Sequence, residues 1–123
     1  MAGEAGPIIV MIDYDVAPRN HPAFQAAAQQ LTRLRLRDGA LRAGVFTDLS
    51  QPTRLTEFFY VATWAEHERQ QRRFTRDDQL VEAEVRRFHQ GPEPPRVTQF
   101  LAFPRASNVE IVAPPLQLAG SAQ

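Results

Sequence analysis

The stretch Glu57-Phe-Phe-Tyr-Val-Ala-Thr-Trp64 decides the fold, because apolar side chains occupy successive positions in it. In an extended strand, alternate side chains point to opposite faces of the sheet. One face of this segment carries Phe58, Tyr60, Ala62 and Trp64, and the other carries Phe59, Val61 and Thr63. Helices cover only one face of a small sheet. We therefore expect a second subunit, an apolar ligand, or both, to cover the other face.

A similar two-sided pattern occurs in the first half of residues 8–16, where isoleucine, valine and methionine follow one another. This pattern predicts a first strand that is buried on both faces. A helix then begins at Asn20 or His21, with Pro22 in its first turn, where a missing N–H costs nothing. An apolar stripe at three- and four-residue spacing continues the helix, and Gly39 ends it.

Alternating residues predict further strands over 41–49, 55–64 and 97–103. A polar-rich helical region follows Trp64 and restarts at Thr75, where Asp78 completes a capping-box pattern. The order is β-α-β-β-α-β, which predicts a ferredoxin-like α+β fold: a four-stranded antiparallel sheet with helices on one face. We expect two copies to pack sheet against sheet into a two-fold dimeric α+β barrel.

The domain is predicted to span residues 7–105, between a flexible lead at 1–6 and a tail at 106–123. Residues 108–112 of the tail are expected to form a short edge strand.

Composition limits the function: the 123 residues carry fourteen acidic and fourteen basic side chains, so no net charge attracts nucleic acid. Every basic residue is arginine and cysteine is absent, which excludes lysine and thiolate chemistry. The apolar runs are too short to span a bilayer, and a cytoplasmic chain is the expectation.

Four segments carry a resemblance to the antibiotic biosynthesis monooxygenase-like superfamily of dimeric α+β barrels. The segments are Pro7-Ile-Ile-Val-Met-Ile-Asp-Tyr14, Arg33-Leu-Arg-Leu-Arg-Asp-Gly39, Phe58-Phe-Tyr-Val-Ala-Thr-Trp-Ala-Glu-His67 and Phe88-His-Gln-Gly-Pro-Glu-Pro-Pro-Arg-Val97. Together they look most similar to the soluble C-terminal domain of enterobactin-exporter-like major-facilitator transporters. The resemblance covers roughly residues 7–103. It implies a domain at the cytoplasmic face of a membrane transporter, although a free-standing relative remains an alternative.

The resemblance also implies where a ligand lies. In monooxygenase members, a tryptophan at the place of Trp64 lines the substrate cavity, and some carry an asparagine where this chain has Tyr60. His67, flanked by Glu66 and Glu68, is the third candidate catalytic residue, although a solvent-exposed place in the first helical turn is expected for it. Haem-degrading relatives use a pocket histidine as axial ligand, and His67 alone could serve in that way. We expect the ligand-binding residues to be Tyr14, Phe46, Phe58, Tyr60, Trp64 and Phe100.

Three functional hypotheses follow. The leading one is an accessory module that binds a hydrophobic aromatic small molecule between sheet and helices, as the cytoplasmic domain of a drug or siderophore exporter would. The second is a cofactor-independent monooxygenase that acts on a polycyclic phenol or quinol. The third is a structural dimerisation domain whose interior is filled by its own side chains. We predict no cofactor, and no metal site, because the three histidines share no ligand spacing.

Overall fold

The computed structural model describes residues 2–103 and contains one antiparallel sheet flanked by helices. The strands are β1 (Ile8–Asp15), β2 (Arg42–Asp48), β3 (Gln51–Val61) and β4 (Arg96–Leu101). The helices are α1 (His21–Arg37), α2 (Trp64–Arg73) and α3 (Arg76–Arg86), and a 3-10 turn, Pro18–Asn20, precedes α1. The four strands lie in the order β2-β3-β1-β4. The predicted α+β, ferredoxin-like β-α-β-β-α-β plan is confirmed.

Strand β3 lies earlier in the chain than the sequence indicated. The turn before it consists of Leu49 and Ser50, because the Asp48 carboxylate accepts hydrogen bonds from the Ser50 backbone N–H and hydroxyl. The strand ends at Val61, and Thr63 caps α2 by accepting a hydrogen bond from the Glu66 backbone N–H. Trp64 is therefore the first residue of a helix, where we had expected the end of a strand.

The helical region after β3 breaks as predicted. Helix α2 ends at Arg73, and Phe74 is extended. The Thr75 hydroxyl accepts from the Asp78 backbone N–H, and the Asp78 carboxylate accepts from the Thr75 backbone N–H. This reciprocal capping box starts α3 in a new direction.

Hydrogen bonds join the segment before β1 to the start of α2, and the flexibility expected of residues 1–6 stays a prediction. The Ala5 carbonyl accepts a hydrogen bond from the Trp64 backbone N–H at 2.7 Å, and the Gly3 carbonyl accepts one from Ala65 at 2.9 Å. A Cβ on Gly6 would collide with the Ala62 carbonyl oxygen, so only glycine fits there. The predicted tail, 106–123, and its edge strand lie outside the described residues.

The two faces of the sheet differ. Strand register places odd-numbered residues of β3 and even-numbered residues of β1 toward the helices, where they form the core. The opposite face, here called the open face, bears Ile9, Met11, Phe46, Phe58, Tyr60 and Phe100. Phe46 is 62% exposed and Phe100 is 49% exposed. Among the described residues, no helix packs on this face, as the pattern of residues 57–64 predicted.

Candidate functional site

A cavity of about 560 Å³ lies between the helix-facing side of β1 and β4 and the helices α2 and α3. We call it the helix-side cavity. Its apolar floor comes from strand residues, and its polar wall comes largely from helix residues. The floor contains Val10, Ile12 and Phe59, and the wall contains His67, Gln70 and Glu82. Gln99 and the half-exposed Val97 of β4 also line it, because the helices leave that edge strand partly uncovered. The cavity is large enough for a small organic molecule.

An ion pair anchors the base of the cavity. Arg35 of α1 donates from Nε to Oε2 of Glu57 on β3 at 3.0 Å, and the Glu57 side chain is only 3% exposed. A second carboxylate, that of Glu82 on α3, lies 3.6 Å from Nη2 of Arg35. The guanidinium also stacks over the Phe59 ring, 4.5 Å from its centroid. Arg35 thus ties α1 to β3 and α3.

Tyr14 completes this network. Its hydroxyl donates to Oε1 of Glu57 at 3.4 Å. Burial, reinforced by the charge of Glu57, raises the pKa of Tyr14 above its ordinary range, so the phenol stays protonated and acts as a donor. Burial also opposes the charge of Arg35, but the attraction of Glu57 and its hydrogen bond outweigh that cost, and the pKa of Arg35 is raised.

His67 is buried, and our expectation of a solvent-exposed position was wrong. The residue is 4% exposed, and its ring lies 5.2 Å from that of Trp64 and 6.3 Å from that of Phe59. Its Nε2 lies 3.3 Å from Nε2 of Gln99 on β4. Burial first, and the nearby Arg35 charge second, lower the pKa of His67, so the imidazole is neutral at physiological pH.

The acidic neighbours of His67 concealed this burial. Glu66 and Glu68 suggest a solvated turn, yet helix periodicity places His67 on one face with Gln70, three residues later. Gln70 and Phe74, which directly follows the helix, also line the cavity. The i, i+3 spacing of His67 and Gln70 was the available signal, but both residues are polar, so it did not indicate a buried face.

Two buried polar atoms at the cavity wall lack a partner. Across residues 2–103, nothing offers a hydrogen bond to Nδ1 of His67 or to Nε2 of Gln70. Leaving a buried donor unsatisfied costs about 1–3 kcal/mol. Buried polar groups without a partner are rare in folded proteins, so these two atoms mark the polar wall as an unusual part of the fold.

The residues predicted to bind ligand lie in three places. Tyr14 lines the helix-side cavity, whereas Phe46, Phe58, Tyr60 and Phe100 lie on the open face. Trp64 lies beside His67 and packs on the core from the start of α2. Tyr60 is therefore not on a common strand face with Trp64. Of the three candidate catalytic residues, His67 lines the cavity, and the described lining contains neither Trp64 nor Tyr60.

The prediction overlooked the polar residues of the site: Arg35, Glu57, Gln70 and Gln99. Two of them left a signal in the sequence. Arg35 continues the α1 stripe of Phe24, Ala28 and Leu31 at four-residue spacing, and Glu57 takes a core position of β3. A charge at a core position on each of two neighbouring elements predicts a buried pair.

The chain also matches known proteins. The family model described as transmembrane secretion effector matches residues 1–107. The chain belongs to this family. A search of the curated proteins finds no match for the secretion effector domain.

Solved structures with similar folds include several described as antibiotic biosynthesis monooxygenases. One from Bordetella bronchiseptica is 23% identical, with a TM-score of 0.61, covering 77% of this chain and 95% of that chain. One from Caulobacter crescentus CB15 is 15% identical, with a TM-score of 0.67, covering 81% and 92%. One from Nitrosomonas europaea is 14% identical, with a TM-score of 0.64, covering 83% and 93%. At these identities the likeness shows a shared fold.

In the part of the secretion effector domain that the structure describes, no helix has the length and apolar character needed to cross a membrane. No group of three or more metal-binding side chains gathers there either. The surroundings of His67 do not fit a haem, because Gln99 lies against Nε2 and protein atoms cover Nδ1.

Proposed function

We propose that this chain is the small-molecule-binding domain of a secretion effector and takes up a hydrophobic aromatic ligand in the helix-side cavity. The helix-side cavity, which has a volume of about 560 Å³, an apolar floor and a polar wall, carries this proposal. Phe59, Val10 and Ile12 offer an apolar floor on which an aromatic ring can lie. Membership of the transmembrane secretion effector family supports a role next to a transported molecule at the cytoplasmic face of the membrane.

The same proposal includes a two-fold homodimer formed through the open face. Phe46 and Phe58 contact each other there, with ring centroids 5.2 Å apart, and Phe46 remains mostly exposed. Contiguous exposed apolar surface of this kind is typical of an interaction site. A second copy offers the same apolar strip about a two-fold axis, so the surface is complementary to itself.

The cavity favours a binding role over the two alternatives. A purely structural dimerisation domain has no need of a pocket, whereas a pocket of about 560 Å³ opens beside the core of this domain. A monooxygenase would depend on Trp64 and Tyr60, and of the described residues that line the cavity, neither is one. His67 does line it, but protein atoms cover its Nδ1 and Gln99 lies against its Nε2, so neither nitrogen is placed to take a proton from a ligand.

The proposal is tested with N-phenyl-1-naphthylamine, an uncharged aromatic probe whose fluorescence rises in apolar surroundings. We expect saturable binding with micromolar affinity. Ala83 of α3 lines the cavity, so Ala83→Trp should fill its mouth and weaken binding at least tenfold. Ala26 is an exposed residue of α1 and does not line the cavity, so Ala26→Trp serves as the matched control and should bind normally.

Two results would overturn the proposal. One is a lack of saturable binding to the wild-type chain. The other is equal binding by the Ala83→Trp and Ala26→Trp variants, which would place the probe elsewhere on the surface.

A further inference from the structure

Strand β4 forms one edge of the sheet, and within residues 2–103 it pairs with β1 alone. Its apolar side chains are half-exposed on both faces. Val97, which lines the helix-side cavity, is 51% exposed, and Phe100, on the open face, is 49% exposed. An uncovered edge strand with apolar side chains is a template for a further strand.

One hydrogen bond fixes the direction of the backbone groups on this edge. The Ala102 N–H donates to the Pro7 carbonyl, just before β1, at 3.1 Å. Alternate residues of a strand point their N–H groups to the same side, so the even-numbered residues of β4 also face β1. The N–H groups that face the free edge are therefore those of Val97, Gln99 and Leu101.

The sequence that follows β4 contains a segment that suits this edge. Residues 108–112 read Asn-Val-Glu-Ile-Val, and the alternation of polar and apolar residues from 108 to 111 is typical of a half-buried strand. Residues 102–107 separate this segment from the end of β4, which is a connection of ordinary length. Strands consecutive in the chain are usually neighbours in a sheet. The other free edge, that of β2, lies three strand spacings away, or about 14 Å.

The two faces of β4 favour one orientation of such a strand. Val109 and Ile111 suit the helix-facing side, because Val97 is half-exposed there. Glu110 then shares the other face with Arg96, which carries the opposite charge. Directly opposite residues of antiparallel strands point to the same face, so Val109 and Ile111 lie opposite odd-numbered residues of β4. Their own N–H groups therefore point toward β4.

We infer that residues 108–112 of this chain add a fifth strand to the free edge of β4, antiparallel to it. Val109 and Ile111 cover Val97, so the new strand extends the apolar floor of the helix-side cavity beyond β4. The inference goes beyond the proposed function and does not depend on it, because backbone pairing needs no bound ligand.

Amide hydrogen exchange, followed by NMR on the full chain, tests this pairing. A fifth strand slows exchange at the amides of Gln99 and Leu101, which otherwise face water. Ile111→Pro removes an N–H that donates to β4, so we expect exchange at both amides to become at least about tenfold faster. Leu118→Pro is the matched control, because it introduces proline outside the segment, and it should keep the wild-type rates.

A mixing experiment identifies the chain that supplies the strand. Isotope-labelled Ile111→Pro chain is unfolded in urea and refolded with an excess of unlabelled wild-type chain, and exchange is measured at the labelled Gln99. We expect exchange to stay fast, because each chain supplies its own strand. Slow exchange in the mixture would show that a second copy supplies the strand, and would overturn the inference.

Three results of the first experiment would also overturn it. One is fast exchange at Gln99 and Leu101 in the wild-type chain. Another is slow exchange at these amides that survives Ile111→Pro, because other residues would then cover the edge. The third is slow exchange in β2 that Ile111→Pro accelerates while the amides of β4 are unchanged, because the segment would then pair with the opposite edge of the sheet.

Discussion

The two faces of the sheet are built from alternate residues of the same strands, yet their chemistry differs. Glu57, Phe58 and Phe59 follow one another in β3. Glu57 and Phe59 face the helices, where they are 2% and 4% exposed, and Phe58 lies on the open face. The helix-facing side combines an apolar core with a buried ion pair and a cavity. The open face carries the exposed aromatic side chains of Phe46 and Phe100, although Tyr60 on the same face is buried. We infer that the first face serves a ligand and the second serves a partner chain.

The largest expected effect comes from the buried pair of the helix-facing side. Glu57→Leu leaves the Arg35 charge buried with only the more distant Glu82 carboxylate, at 3.6 Å. Removal of one partner from a buried pair typically costs 3–5 kcal/mol, so we expect a loss of about 3 kcal/mol in the free energy of unfolding, measured with urea.

The double variant Arg35→Met, Glu57→Leu is the control for that experiment. It removes both charges together, and most of the lost stability should return. A loss below about 1 kcal/mol for Glu57→Leu alone would contradict the account, because that carboxylate would then not be needed to hold Arg35.

Substitution of two neighbouring phenylalanines, one on each face of the sheet, compares the two faces directly. Phe59→Ala creates a cavity in the core and should cost about 3 kcal/mol at any protein concentration. Phe58→Ala should cost the separated chain about 1 kcal/mol, since the side chain is only half-buried there. Its total effect should grow with protein concentration if the open face is covered in the proposed dimer. Equal, concentration-independent losses for the two variants would show that both side chains belong to one core.

A smaller effect should appear in the pH dependence of stability. The pKa of His67 in the folded chain lies below its ordinary value of 6.5, so the unfolded state binds the proton more readily. The stability that His67 contributes is present above pH 6.5 and is lost as the pH falls through the folded-state pKa. We expect unfolding midpoints in urea to fall less steeply with acid in His67→Phe than in the wild type. NMR titration of the His67 ring should give a pKa below 6.5, and an unshifted pKa would contradict its burial.

Much of the fold followed from sequence pattern alone, because strands, helices and caps are determined largely by residues close to each other in sequence. Alternation identified the strands, the stripe from Phe24 to Leu34 identified α1, and Thr75 with Asp78 identified the restart at α3. The end of β3 was misplaced because Ala62 and Trp64 extend its apolar alternation. The Thr63 cap, which ends the strand, depends on a single hydrogen bond.

The site was predicted less completely, because its residues meet through tertiary contacts. Tyr14 was placed correctly at the cavity, while the aromatic residues grouped with it belong to the other face. Arg35 and Glu57 are 22 positions apart, and each shows in the sequence only as a charge at a core position of its own element. The burial of His67 depends on its contacts with Phe59 and Gln99 of the sheet, which lie far from it in sequence.

The most direct test of the division between the two faces is sedimentation equilibrium of the full chain at micromolar concentration. We expect a mass about twice the 13.9 kDa of one chain. Phe46→Arg places a charge on the open face and should give a monomer that still binds N-phenyl-1-naphthylamine. Leu80→Arg is the matched control, since Leu80 of α3 is 64% exposed against 62% for Phe46, and it should leave the dimer intact. A monomeric wild-type chain, or a Phe46→Arg variant that remains dimeric, would contradict the account.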